Sequence, residues 1–248
     1  NNIENKVTLI KNKNNMKQAY SRYIAFKECH DDEICCLLDG DDWLYDNNVL
    51  SKLNKIYCTS KCLVTYSDYI RYKDGKLNQR VIARNYSDDI LNNSIYRYSN
   101  WLCTHLRTGY AKLFKNVLEE EMKDHNGDWL KCSTDMAVMF RVMEQSKGKI
   151  QVINDLMYVY NIDNSLQYDS SYYKKDVKFE KYRKLVNKHI KYNNYNNNQL
   201  DFLKYLEKNK ISMIKISNSL NKFSRIKYMY NMNDYNGSSK PCLFFGVY

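Results

Sequence analysis

The run Ile34-Cys35-Cys36-Leu37-Leu38 passes without a spacer into Asp39-Gly40-Asp41-Asp42-Trp43. An unbroken apolar run of this length lacks the alternation of a half-exposed strand. It suits a strand covered on both faces, as in a parallel sheet between helices. Three carboxylates within four residues repel one another, so the turn is costly unless it meets water or a cation. The carboxyl end of a parallel strand is also where open α/β sheets bind ligands. A hard divalent cation takes oxygen ligands, commonly one or two carboxylates completed by phosphate oxygens. Gly40 permits a bend or a close backbone approach, and Trp43 is placed to shield one side. The plainer alternative is a solvated loop whose Asp42 caps the following helix, because short acid pairs are common in loops.

The flanking segments favour the sheet. Val7 to Lys11 reads as a short strand. Met16 to Cys29 reads as a helix with Met16, Tyr20, Tyr23 and Phe26 or Lys27 on one stripe. Val49 to Tyr57 predicts a second helix with Leu50, Leu53 and Tyr57 inward, and Leu63 to Tyr66 another strand. Tyr69–Tyr72 and Leu77–Ile82 flank Asp74-Gly75, a hairpin signal. Trp101 to Leu106 predicts a strand and Tyr110 to Val117 a helix. Ser133-Thr134-Asp135 opens a helix to about Lys147, with Met136, Met139, Phe140 and Met143 as its apolar stripe and Gly148 as its cap. Ile150–Ile153 and Leu156–Tyr160 read as two short strands. Lys174–Tyr192 and Gln199–Leu220 read as long helices joined by the polar stretch Asn193 to Asn198, with Leu200, Leu203, Leu206 and Ile214 on one stripe. The alternation predicts an α/β fold, a mostly parallel sheet sandwiched by helices, followed by a helical extension.

The 248 residues suit one domain with an appendage, expected as a core over 1–164, a helical extension over 165–236 and a linker with the start of a further domain over 237–248. That last boundary rests on Gly237-Ser238-Ser239-Lys240-Pro241 and on the strand-like Leu243 to Tyr248; the chain also does not begin with Met. The formal charge of +11 is spread along the chain without a basic block, so lysine-covered helix faces fit better than nucleic-acid binding. The eight cysteines include no CxxC pair and lie apart from the histidines, which argues against zinc and for buried thiols in a reducing compartment. No signal peptide or membrane-spanning run appears, which by itself says little, and the reducing compartment makes cytoplasmic the expected location.

In order along the chain, Ala19-Tyr20-Ser21-Arg22, the strand and acid turn at 34–43, and Val64-Thr65-Tyr66-Ser67-Asp68 resemble family 2 glycosyltransferases, which have the GT-A fold. His105-Leu106-Arg107-Thr108 resembles an acceptor-side segment of some members, and Thr134-Asp135-Met136-Ala137 the segment holding the catalytic acid. Leu156-Met157-Tyr158-Val159-Tyr160-Asn161 looks like the strand that closes many such domains. The resemblance spans about Val7 to Asn164; the acid turn alone is weakly specific, the ordered set strongly so. The Asn- and Lys-rich composition with these segments also looks like glycosyltransferases of large DNA viruses, some of which resemble collagen-modifying enzymes. That resemblance would put the protein in host cytoplasm or virion.

The resemblance implies transfer of a single sugar, with inversion, from a nucleotide sugar (a UDP-sugar) to a protein or glycan hydroxyl. It implies Mn²⁺ or Mg²⁺ as cofactor, with Asp41 and Asp42 as metal contacts and Asp39 on the metal or the ribose. Arg22 and Arg107 become candidate diphosphate contacts, since a guanidinium binds phosphate as a fork. Asp135 becomes the candidate base, although residues at a helix start also serve as caps. His105 reads equally as a buried, hydrogen-bonded histidine. The sequence departs from the pattern in three places. The family's first strand, which helps hold the nucleotide base, is not recognisable. The Gln-x-x-Arg-Trp motif of processive synthases is absent. No histidine falls between Asn161 and His189, where a third metal contact often lies. Two other classes compete: a catalytically degenerate binding module, and a metal-dependent nucleotidyltransferase. The second usually carries a Gly-rich phosphate loop that this chain lacks. A homodimer through the C-terminal helices is a further expectation.

Overall fold

The structure, a computed structural model, describes residues 8–163 and the backbone of Cys242–Phe244. The two long helices expected after Lys174, the dimer surface assigned to them and the linker at 237–241 lie outside the described residues.

The apolar run forms strand β1 (Ile34–Leu37), buried along its whole length. Helix α1 (Lys17–Lys27) precedes it, and a two-residue strand, β2 (Trp43–Leu44), follows the acid turn. Then come α2 (Val49–Thr59), β3 (Val64–Lys73), β4 (Lys76–Val81) and α3 (Asp88–Asn93). The core is completed by β5 (Arg107–Tyr110), α4 (Ala111–Lys115), α5 (Thr134–Ser146) and β6 (Ile150–Asn161). Strand β7 (Cys242–Phe244) closes the set.

The seven strands form one sheet in the order β2-β6-β3-β5-β1-β7, with β4 added to β3. Helices flank it, so the α/β class holds, but the sheet is mixed and not mostly parallel. Only β3–β6 and β1–β7 are parallel; β1–β5, β3–β5, β3–β4 and β2–β6 are antiparallel. The difference has a local origin. The strand expected at Trp101–Leu106 is absent: those residues lack regular structure, and Arg107–Tyr110 enters antiparallel between β1 and β3 instead. There Gly109 lets the chains close up: a Cβ on it would sit 3.2 Å from the Leu63 carbonyl and 3.1 Å from the Phe114 ring. β1 lies inside the sheet, between β5 and β7.

The two short strands expected at Ile150–Ile153 and Leu156–Tyr160 are one strand with a bulge. Ser67 pairs with Ile153 and Asp68 with Leu156, so Asn154 and Asp155 are extruded. The buried Asp68 carboxylate pins this irregularity. It accepts from Arg80 Nε at 2.9 Å and from the Ala83 amide at 2.7 Å, while Arg80 also reaches the Asn154 carbonyl at 3.3 Å. Residues 8–11 are not a strand.

Helix α1 turns a different face inward from the one its aromatic stripe suggested. Ala19, Arg22, Ala25 and Phe26 are buried, whereas Tyr20 and Tyr23 are half-buried against Trp129. Periodicity put Tyr20 and Tyr23 on the inward stripe with Phe26 and left Arg22 off it; Arg22 goes inside because acceptors wait there. Helices α2 and α5 follow their patterns. Val49, Leu53 and Tyr57 of α2 are buried with Leu50 packed beside them, and Met136, Met139, Phe140 and Met143 of α5 are all buried. α5 ends with Lys147 and Gly148 both at positive φ, consistent with the glycine stop.

Candidate functional site

The structure gathers every candidate side chain into one region at the carboxyl end of β1. In the acid turn the Asp42 amide donates to the Asp39 carbonyl at 2.9 Å. This bends the chain so that Asp39 and Asp42 are buried while Asp41 stays half-buried. β2 then pairs with β6 (Trp43 with Val159, Leu44 with Tyr158), which lays the turn against the end of β6. Asp42 is fully engaged there. One carboxylate oxygen accepts from the Tyr158 hydroxyl, and the other accepts from the Asn161 amide at 2.8 Å. Asp42 therefore does not act as a helix cap; α2 begins at Val49 with Asn48 before it and has no side-chain cap.

Asp39 is wholly buried and neither of its carboxylate oxygens has a hydrogen-bond donor. Its nearest cation is Arg22, 3.7 Å away. Burial pushes its carboxyl well above the usual carboxylate range; the Arg22 guanidinium opposes this and the Asp42 charge adds to it. Arg22, also wholly buried, donates to Thr134 Oγ1 at 2.6 Å, and that hydroxyl donates to Gln18 Oε1 at 2.7 Å. One arginine thus ties the acid turn after β1 to the start of α5.

The second half of the site comes from the segment before β5 and from the start of α5. Arg107 is buried: Nε donates to the Cys103 carbonyl at 2.9 Å, Nη2 lies 3.5 Å from Asp135 Oδ2, and Nη1 has no partner. Its guanidinium lies over Trp101 at 5.4 Å. Asp135 occupies the second position of α5 with its side chain 18% exposed. The capping expected of Ser133-Thr134-Asp135 is not seen. Ser133 is the residue before the helix, left-handed at φ 55°, and no side chain caps the helix. Ser133 Oγ is buried without a partner, Thr134 serves Arg22, and Asp135 faces Arg107.

His105 is buried and sandwiched among aromatics, stacked on Tyr158 at 4.5 Å and edge-on to Tyr69 at 5.5 Å. Burial, with the positive charges of Arg107 and Arg22, holds its imidazole well below the usual pKa, so the ring is neutral. Its Nδ1 has no hydrogen-bond partner, unlike the satisfied core histidine that the plainer reading describes.

Buried polar atoms are rarely left unpaired; apart from the hydroxyl of Tyr96, which packs beside Tyr86, unpaired ones fall here at Asp39, His105, Arg107 and Ser133. Such a cluster offers acceptors and donors to a polar ligand. Among the described residues no three His, Cys, Asp or Glu side chains converge to hold a metal by themselves. The donors fit the other common arrangement, one or two carboxylates with ligand phosphates completing the shell. Asp39 is the carboxylate whose oxygens lack hydrogen-bond donors, and Asp41 is the half-buried acid of the turn.

Tyr158 is visible in the sequence only as a member of a motif-like segment and Thr134 only as a helix-start residue, because their partners lie 116 and 112 positions away in sequence. The described cysteines are free thiols, all but Cys58 buried, and no described helix is long and apolar enough to cross a membrane. No family model and no curated protein matches this chain.

Proposed function

We propose that the protein is a metal-dependent glycosyltransferase that moves one sugar from a UDP-sugar to an acceptor hydroxyl with inversion, acting in the cytoplasm. One observation carries the reading. Five segments far apart in sequence, contributing Arg22, Asp39 to Asp42, His105 with Arg107, Asp135 and Tyr158, converge on a single polar site in which Asp39, His105 and Arg107 each carry a buried polar atom without a hydrogen-bond partner.

In this reading Asp41 and Asp39 hold a divalent cation, Mn²⁺ or Mg²⁺, together with the donor's phosphates, while Asp42 holds the turn. The bound cation supplies neutralisation of the negative charge that grows on the departing diphosphate. Arg107 offers its unpaired Nη1 to the same phosphates. Arg22 acts one step back, keeping Asp39 and the start of α5 in register. Asp135 accepts the proton of the attacking hydroxyl. It stands in the first turn of α5, and Arg107 fixes its direction. A protein or glycan hydroxyl is the acceptor class.

The competing reading, a silent nucleotide-binding module, is favoured by the saturation of Asp42. Thermal-shift measurements with UDP, GDP and CMP, each with Mn²⁺ or a chelator, test the donor site. UDP is expected to raise the melting point more with Mn²⁺, and Asp41→Ala to remove the increment. Equal shifts in both conditions would sink the cation-bridged donor site. Release of UDP from UDP-sugars then separates an enzyme from a binding module.

A further inference from the structure

The acid turn makes no strand pairing of its own, since β1 ends at Leu37 and β2 begins at Trp43. What fixes it is a set of contacts to β6, two of which pass through one phenol. The Tyr158 hydroxyl donates to Asp42 Oδ2 and accepts from the Asp39 amide at 3.2 Å, so it spans both ends of the turn. The Asn161 amide holds the second oxygen of Asp42, and the Tyr45 amide donates to the Met157 carbonyl at 3.1 Å just beyond. On its other side the Tyr158 ring carries His105, stacked at 4.5 Å with the planes 30° apart. The acidic half and the histidine half of the cluster therefore take their positions from the same side chain.

The Tyr158 hydroxyl is the donor in its bond to the Asp42 carboxylate. A charged acceptor makes this hydrogen bond a strong one. Asp42 is nearly inaccessible, and a carboxylate in that setting keeps its place only while its donors remain.

From this geometry we infer that Tyr158 is a positioning residue. It locks Asp42 as the anchor of the acid turn and so sets where Asp41 and Asp39 stand toward a cation and its phosphate ligand. The inference rests on the proposed donor site. It goes beyond it in separating the three acids: Asp42 serves the turn through Tyr158 and Asn161, and the half-buried Asp41 serves the ligand.

Tyr158→Phe removes one hydroxyl and keeps the ring under His105. A matched control is Tyr66→Phe, another buried phenol, which donates to the Arg84 carbonyl at 2.6 Å away from the acid turn. UDP affinity is measured calorimetrically with Mn²⁺ and with a chelator in both variants and in Asp42→Asn. Amide hydrogen exchange is followed over residues 39–44. Tyr158→Phe is expected to weaken the Mn²⁺-dependent part of UDP binding on the order of tenfold or more and to speed exchange across the turn. Tyr66→Phe is expected to lower the melting point and leave both readouts unchanged. Combined with Asp42→Asn, Tyr158→Phe should add nothing further, because both remove the same link. Unchanged exchange across the turn in Tyr158→Phe overturns the inference whatever the ligand, as does full additivity with Asp42→Asn. A wild-type protein that binds UDP without any Mn²⁺ dependence overturns the donor-site reading itself, an outcome told apart because the exchange experiment needs no ligand.

Discussion

Asp135→Asn separates the catalytic role from the structural one, and the structure changes what it should cost. Were Asp135 a helix cap, asparagine would replace it with almost no loss, since the two cap nearly equally. The start of α5 has no side-chain cap, however, and Asp135 answers the buried Arg107 at 3.5 Å. Breaking a fully buried pair on one side costs about 3–5 kcal/mol, and an exposed pair is worth about 1 kcal/mol or less. Arg107 is buried while the Asp135 side chain is 18% exposed, and their separation is longer than a hydrogen bond. An intermediate cost of about 1–3 kcal/mol follows, with a few tenths to 1 kcal/mol of it from the lost charge at the helix N-terminus. For a domain of this size that lowers the melting point by roughly 3–10 °C. Catalysis should suffer far more, because asparagine cannot take the acceptor's proton; the rate is expected to fall on the order of 10²-fold or more. The assay is UDP release from a UDP-sugar with Mn²⁺, run at least 15–20 °C (roughly twice the expected shift) below the variant's melting point, beside calorimetric UDP–Mn²⁺ affinity. The expected combination is a modestly lowered melting point, near-normal UDP affinity and lost turnover. Near-normal turnover would refute the base assignment, and an unchanged melting point would refute the Arg107 pairing as a source of stability.

Two further perturbations test the scaffold. Glu144, near the end of α5, is bound by Arg97 at 2.7 Å, yet burial outweighs that attraction and raises its carboxyl from 4.5 to about 7. The native state then holds a proton that the unfolded chain releases. Glu144 contributes stability fully below about pH 4.5 and loses it as pH rises through about 7, to a ceiling of about 3 kcal/mol. Glu144→Gln should flatten that dependence in urea melts between pH 5 and 8; a wild-type-minus-variant difference that stays constant over this range would show the reasoning wrong. Gly109→Ala places a Cβ 3.2 Å from the Leu63 carbonyl and 3.1 Å from the Phe114 ring, so about 1–3 kcal/mol of stability should be lost. A neutral or stabilising result in chemical denaturation would mean that β5 has room that the geometry denies it.

Much of the local structure was legible in the residues. β1, α2, the Asp74-Gly75 hairpin and α5 stand within a few positions of where apolar runs, helical spacing and turn chemistry put them, because each is decided by neighbours in sequence. The acid turn at the end of a buried strand was equally plain. What failed was whatever depended on distant partners. Trp101–Leu106 has a strand-like composition but no sheet edge to pair with, while Arg107–Tyr110 finds β1 and β3 and becomes the strand. Arg22 reads from the sequence as a candidate diphosphate contact, and only the fold sets Asp39 and Thr134 beside it. The division of labour between Asp41 and Asp42 is invisible in the string Asp-Gly-Asp-Asp, because it is made by Tyr158 and Asn161. Those residues lie 116 and 119 positions further on, and the register of β6 against β2 and β3 alone carries them to the turn. Local propensity acts over a turn or two of chain, whereas a buried carboxylate is assigned its role by whichever donor the sheet brings within 3 Å of it.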